Sequence, residues 1–287
     1  YLAAAPRARE PWERRRSVME LIALNDVLAG RELWRVDELE LPSRIELRGI
    51  YDRPGSVSAW LLRCDIGERE RVPTLLDSGA SGLHLADRTA GRTKLEPLAG
   101  GTLLGGGGDA RHAVKRGVVS QLDFGPLAFG EALGVAARGD LHPRGAYRAL
   151  VGMDLFSGLR VVLDPEEREL WLLEPDEVDA AVADPEQLDP WPARRREAPI
   201  LRVAGQMLVP VTVRDAGGRH AHTGLALLDT GAQKSMVSPG LAEAIGGLDR
   251  SWHRALRGYG GRLEVHGAFS RLTIELAGES MPLRERP

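Results

Sequence analysis

A mainly β fold assembled from two related units is the architecture this sequence predicts, on three observations. Short apolar runs such as IELRGI, VSAWLLRC, GLRVVLD and MLVPVTVR are separated by turn residues, with 34 glycines and 18 prolines in 287 positions. The run LLDSGAS at residues 75–81 returns as LLDTGAQ at residues 227–233, an offset of 152 positions. Other landmarks keep nearly that offset, as one structural unit copied twice would.

Taken in order, the chain opens with its clearest helix pattern. From Ser17, the residues Val18, Met19, Leu21, Ile22, Leu24, Val27 and Leu28 form a broad apolar face, and Gly30 is the stop signal. This segment lies outside the repeat, within an N-terminal extension of residues 1–44. The first unit is expected over residues 45–175. Residues 176–198, rich in Asp, Glu, Pro and Arg with little periodicity, read as a linker. The second unit is expected over residues 199–287. Within the units, Arg63 and Asp65 match Arg214 and Asp215, each after a strand pattern and before a turn. The glycines 105–108 fall opposite Gly258, Tyr259, Gly260 and Gly261, and Ser120 and Leu122 answer Ser270 and Leu272.

Composition excludes several function classes. The net charge is −3, with both signs interspersed and no basic stripe, which argues against nucleic acid or an anionic membrane surface as the main partner. No apolar run approaches the eighteen or so residues that a spanning helix needs. The first residue is Tyr1, so processing or trimming is expected. A single cysteine, Cys64, rules out an internal disulfide framework and reads as a small buried hydrophobe.

Asp77 and Asp229 each follow an apolar run and precede a small hydroxyl residue, a glycine and an alanine. Burying an aspartate there is costly unless it is hydrogen-bonded or put to use. A single such tripeptide reads as an Asx-type turn. Two copies with matching flanks suggest a paired carboxylate site. With the glycine-rich stretch some thirty residues downstream and the segment ALVGMDLFSGLRVVLD at residues 149–164, they resemble the aspartic peptidases, within them the retropepsin-like bacterial proteins that carry two such units in one chain. The likeness runs from about residue 45.

That resemblance implies a bilobal acid-protease fold of two β-barrel-like lobes and an endopeptidase activity with Asp77 and Asp229 as the catalytic pair. Ser78, Gly79, Thr230 and Gly231 would support the catalytic loops, the two hydroxyls bonding across the lobe interface. The glycine clusters, with Gly105, Gly106, Gly107, Tyr259 and Gly260, would form flaps over an extended peptide. Asp154 is expected to be structural, holding backbone amides. Export to the periplasm or the medium also follows only from the resemblance.

The chemistry can be argued from charge. Two carboxylates about 3 Å apart repel by roughly 5 kcal/mol at an effective dielectric near 20, so they share one proton. A water held between them can then attack a carbonyl without a metal, an organic cofactor or a covalent intermediate. Alanines at Ala80 and Ala232 remove a hydroxyl donor from each loop, which raises the expected acidic limb and gives a mildly acidic optimum of about pH 4 to 6. His220 and His222 lack further ligands at zinc spacing, and GASG at residues 79–82 lacks the spacing of a serine nucleophile elbow.

The repeat leaves one question open. The counterpart of Gly152, Met153 and Asp154 would fall near position 304, past Pro287. A second unit without it is expected to expose strand edges, to be completed by trimmed-off sequence, by a dimer partner or further domain, or by the early segment. The alternative function is therefore a catalytically silent peptide-binding or regulatory module on the same fold.

Overall fold

A computed structural model of the chain describes residues 24–54, 56–104, 111–137, 139–142, 145–175, 198–203, 205–215, 217–258, 261–269 and 271–284. Residues 176–197 of the expected linker and the first turns of the expected early helix lie outside these. Residues 24–28 of that helix (α1) are helical, and Gly30 takes a left-handed φ of +83° after it, as a helix stop requires.

The chain is mainly β. Strands β1 (Val36–Leu39), β2 (Ser43–Glu46) and β3 (Arg48–Arg53) lead into a long hairpin, β4 (Ser56–Ile66) and β5 (Arg69–Asp77). After β5 come β6 (Leu83–Ala86), the short helix α2 (Asp87–Arg92) and the hairpin β7 (Glu96–Leu104) and β8 (Arg111–Val119). Then follow β9 (Leu122–Asp123), β10 (Leu127–Phe129), β11 (Ala132–Ala137) and β12 (Ala149–Gly152). All of these strands but β2 form one eleven-stranded sheet in the order β1-β10-β9-β4-β5-β12-β6-β11-β8-β7, with β3 on β4. Strands β13 (Arg160–Asp164) and β14 (Glu169–Leu173) join β2 in a second, three-stranded sheet. The alternation of β4 buries Leu62, Cys64 and Ile66 completely, in one core with Leu83, Leu122, Phe156 and Leu170. There the Cys64 thiol is pushed up to about 12 by burial, which fits an inert packing residue.

The remaining strands are β15 (Leu201–Val203), β16 (Gln206–Arg214), β17 (Ala221–Leu227), β18 (Arg254–Gly258), β19 (Gly261–Val265), β20 (Arg271–Leu276) and β21 (Glu279–Arg284), with helix α3 (Pro239–Ile245) after β17. Helix α3 is set by its ends. Ser238 caps it, accepting from Leu241 N at 3.2 Å, Pro239 opens it, and Gly246 closes it at φ +71°. A separate small core forms here from Val213, Ile245 and Leu272.

The matched landmarks do matched work. Asp65 Oδ1 accepts the main-chain N–H of Arg71 at 2.6 Å beside the turn of the β4-β5 hairpin, and Asp215 Oδ1 accepts that of Arg219 at 2.7 Å in the turn of β16-β17. Leu122 and Leu272 are both buried, on β9 against β4 and on β20 in the sheet of β16. One relationship is not repeated. Strand β12 pairs in parallel with β5, Gly152 opposite Asp77, whereas β17 pairs only with β16 among the described residues. Leu225 on this strand and Leu228 just after it are 48 % and 42 % exposed.

Candidate active site

Asp77 is the last residue of β5, and Asp229 comes two residues after the end of β17. Each strand delivers its aspartate into a tight turn whose own amides turn back on the carboxylate. Gly79 N donates to Asp77 Oδ1 at 2.9 Å, while Gly231 N and Ala232 N donate to Asp229 Oδ1 at 2.9 and 3.0 Å.

The two turns are locked to each other by a reciprocal set of hydrogen bonds. Ser78 Oγ donates to Leu228 O at 2.6 Å and accepts from Thr230 N at 2.9 Å. Thr230 Oγ1 donates to Leu76 O at 2.8 Å and accepts from Ser78 N at 3.1 Å. Each hydroxyl thus satisfies a donor and an acceptor of the opposite turn, groups that would otherwise be partly buried without partners. A fifth bond, from Gln206 Nε2 to Gly79 O at 3.1 Å, ties the start of β16 to the first turn.

With the turns clamped, the carboxyls meet. The Asp77 carboxyl is pushed up to about 7, by burial first and by the neighbouring charge of Asp229 second. Glycine is required at both following positions for a crossed steric reason. A Cβ on Gly79 would lie 2.6 Å from the Cγ of Asp229, and one on Gly231 would lie 2.6 Å from the Cγ of Asp77. Chemically, two carboxyls so placed can share one proton, and can polarise a carbonyl while accepting a proton from water.

Beneath the first turn, both carboxylate oxygens of Asp154 accept from Gly82 N, at 2.8 and 3.0 Å, and Gly152 N donates to Gly82 O at 2.9 Å. Asp154 therefore holds the backbone that follows the Asp77 turn. His84, buried, lies with Nε2 2.8 Å from Ser81 O in the same stretch, and its pKa is lowered by that burial. The flap residues Gly105, Gly106, Gly107, Tyr259 and Gly260 fall on the connections of the β7-β8 and β18-β19 hairpins, outside the described residues.

Among the solved structures that resemble this chain are these two. One is a retropepsin-like aspartic protease from Rickettsia conorii, 20% identical, covering 47% of this chain and 97% of its own, with a TM-score of 0.30. The other is the retroviral protease-like domain of Ddi1 from Leishmania major, 17% identical, covering 43% and 99%, with a TM-score of 0.31. No family model matches the chain, and no curated protein matches it.

Two site residues carry no motif in the sequence. Gln206 is one, recognisable only once β16 is seen to start beside the first turn. The other is Tyr147, which packs with Ala80, Leu61 and Ile50 around Leu75 and Leu150. Its phenol is pushed up to about 12, by burial and then by the charge of Asp77. Its place two residues before ALVG was the one available hint.

Proposed function

We propose that the chain is an aspartic endopeptidase in which water, activated between Asp77 and Asp229, hydrolyses a peptide bond. The observation that carries this reading is the two aspartate turns locked by reciprocal Ser78 and Thr230 hydrogen bonds, each turn's glycine lying against the opposite aspartate's carboxyl. Asp77 donates its proton to the scissile carbonyl oxygen as water adds. Asp229, whose Oδ1 accepts two amides, takes the proton that the water loses. The tetrahedral diol then collapses with protonation of the leaving amine.

In this reading residues 45–175 and 199–287 are two lobes, and an extended peptide lies between them under the two glycine-rich hairpins. Tyr147, Ile50 and Leu61 beside Ala80 favour an apolar substrate side chain next to the scissile bond. Protein or peptide is the partner, with a dimer mate or a further domain as the candidate to cover β17. No helix among the described residues is long and apolar enough to cross a membrane.

A second reading, a silent peptide-binding module, is favoured by one observation: among the described residues β17, in the unit that carries Asp229, pairs on one side only. A peptide with a secondary hydroxyl in place of the scissile carbonyl separates the two. The peptidase is expected to bind it at least about a hundredfold more tightly than the methylene analogue, because the hydroxyl mimics the diol. Equal binding of both peptides would support the module and sink the catalytic reading.

A further inference from the structure

Four arginines converge at the other end of β5. Arg69, Arg71, Arg92 and Arg148 line a cavity of about 110 Å³ with Glu70, Val72, Pro73 and Thr89. Val72 and Thr89 are buried and form its wall. From Arg71 to Asp77, β5 advances six residues, roughly 20 Å at about 3.3 Å per residue, so this cavity is separate from the paired carboxyls.

Elsewhere in the chain some arginines hold a carboxylate, as Arg31, Arg35, Arg44 and Arg214 do. None of the four cavity arginines has an ion-pair partner among the described residues. Glu70 is the single carboxylate in the lining, so the cavity carries a local charge of +3 on a chain whose net charge is −3. Four cations of one sign repel one another unless an anion sits among them.

The backbone is bent to produce this cluster. Cys64 pairs with Val72 and Ile66 with Arg69, so Glu70 and Arg71 together oppose Asp65 in a bulge. Arg71 takes φ +52°, a left-handed conformation unusual for an arginine, and its N–H is held by Asp65. A bulge changes where a side chain on the bulged strand is aimed, here that of Arg71. Arg148 is brought to the same place because its N–H donates to Pro73 O at 2.9 Å and its carbonyl accepts from Ala86 N at 3.1 Å. Arg92 arrives from the last turn of α2.

We propose that this cavity binds a phosphate-sized oxyanion, either free inorganic phosphate or the head of a small phosphate monoester. Guanidinium forks match tetrahedral oxyanions in pairs of hydrogen bonds. A bound oxyanion bridges the start of β5, the end of α2 and the start of β12, and so braces the parallel pair β5-β12 whose other end carries Asp77. The inference stands independently of the peptidase reading.

Titration calorimetry with inorganic phosphate and with glycerol phosphate, in chloride buffer of matched ionic strength, tests it. Saturable binding is expected, absent with acetate and weakened at least about tenfold by Arg71→Gln/Arg148→Gln and by Arg69→Gln/Arg92→Gln. Tighter binding of glycerol phosphate assigns the monoester, and tighter or equal binding of inorganic phosphate assigns the free ion. In phosphate-free buffer both double variants are expected to melt no lower than the parent, since like charges have been removed. The proposal is overturned if the parent binds neither probe saturably, or if a folded double variant binds as well as the parent.

Discussion

Gly79 stands so close to Asp229 that even a methyl group on it would lie 2.6 Å from the carboxyl carbon, and Gly231 has the same relation to Asp77. Each turn therefore leaves room for the aspartate of the other. Gly79→Ala and Gly231→Ala are expected to push the carboxyls apart, with a loss of about 1–3 kcal/mol in stability from overpacking. The closer test is spectroscopic. The raised titration of Asp77 should fall toward the ordinary aspartate range in both variants, and retention of the parent titration would show that the contact does not hold the pair together.

Ser78 and Thr230 exchange their hydrogen bonds within one network, so their contributions should not be independent. Ser78→Ala and Thr230→Val are each expected to cost about 1–3 kcal/mol, because each leaves a main-chain donor and acceptor of the opposite turn without a partner. In urea unfolding the double variant should fall short of the sum by at least about 0.5 kcal/mol. Strict additivity would mean that the two turns are not coupled through these hydroxyls.

The proton on Asp77 makes stability depend on pH. Its folded pKa, about 7, lies above the ordinary aspartate value of 3.8. The raised value gives a stabilising contribution that is fully present below the unfolded pKa and is lost as pH rises through the folded one. Stability should thus decline from about pH 4 to about pH 7 through this group, and Asp77→Asn should remove that decline. Urea midpoints measured every half pH unit check this, and parallel profiles for parent and variant across the window would contradict it. Peptidase activity, which requires the shared proton, should fade above about pH 7, extending the expected mildly acidic range toward neutrality.

Much of this site was legible in the sequence because its chemistry is local. The residues that meet at the pair are adjacent to the aspartates, and the two copies announce each other, so the Ser78-Thr230 exchange and the amide-holding role of Asp154 could be anticipated. The crossed contact of each glycine with the opposite aspartate could not be, since it depends on how one turn lies against the other. Tyr147 and Gln206 reach the site through strand pairing across long sequence separations, which leaves no periodic trace. Helix α2 has six residues and no side-chain cap, too short a stretch for a 3.6-residue period to register, although α3 carried its Ser-Pro start and glycine stop openly. The arginine cavity was hidden for a different reason: a bulge, invisible in sequence, sets where Arg71 points.

Digestion of a peptide library at about pH 5 by the parent, Asp77→Asn and Asp229→Asn tests the paired carboxyls most directly. The parent should cleave beside apolar residues, and each variant should lose activity by at least about a thousandfold while keeping its fold, because neither a lone acid nor a lone base completes the proton transfer. If either variant cleaves as fast as the parent, Asp77 and Asp229 do not form the catalytic pair.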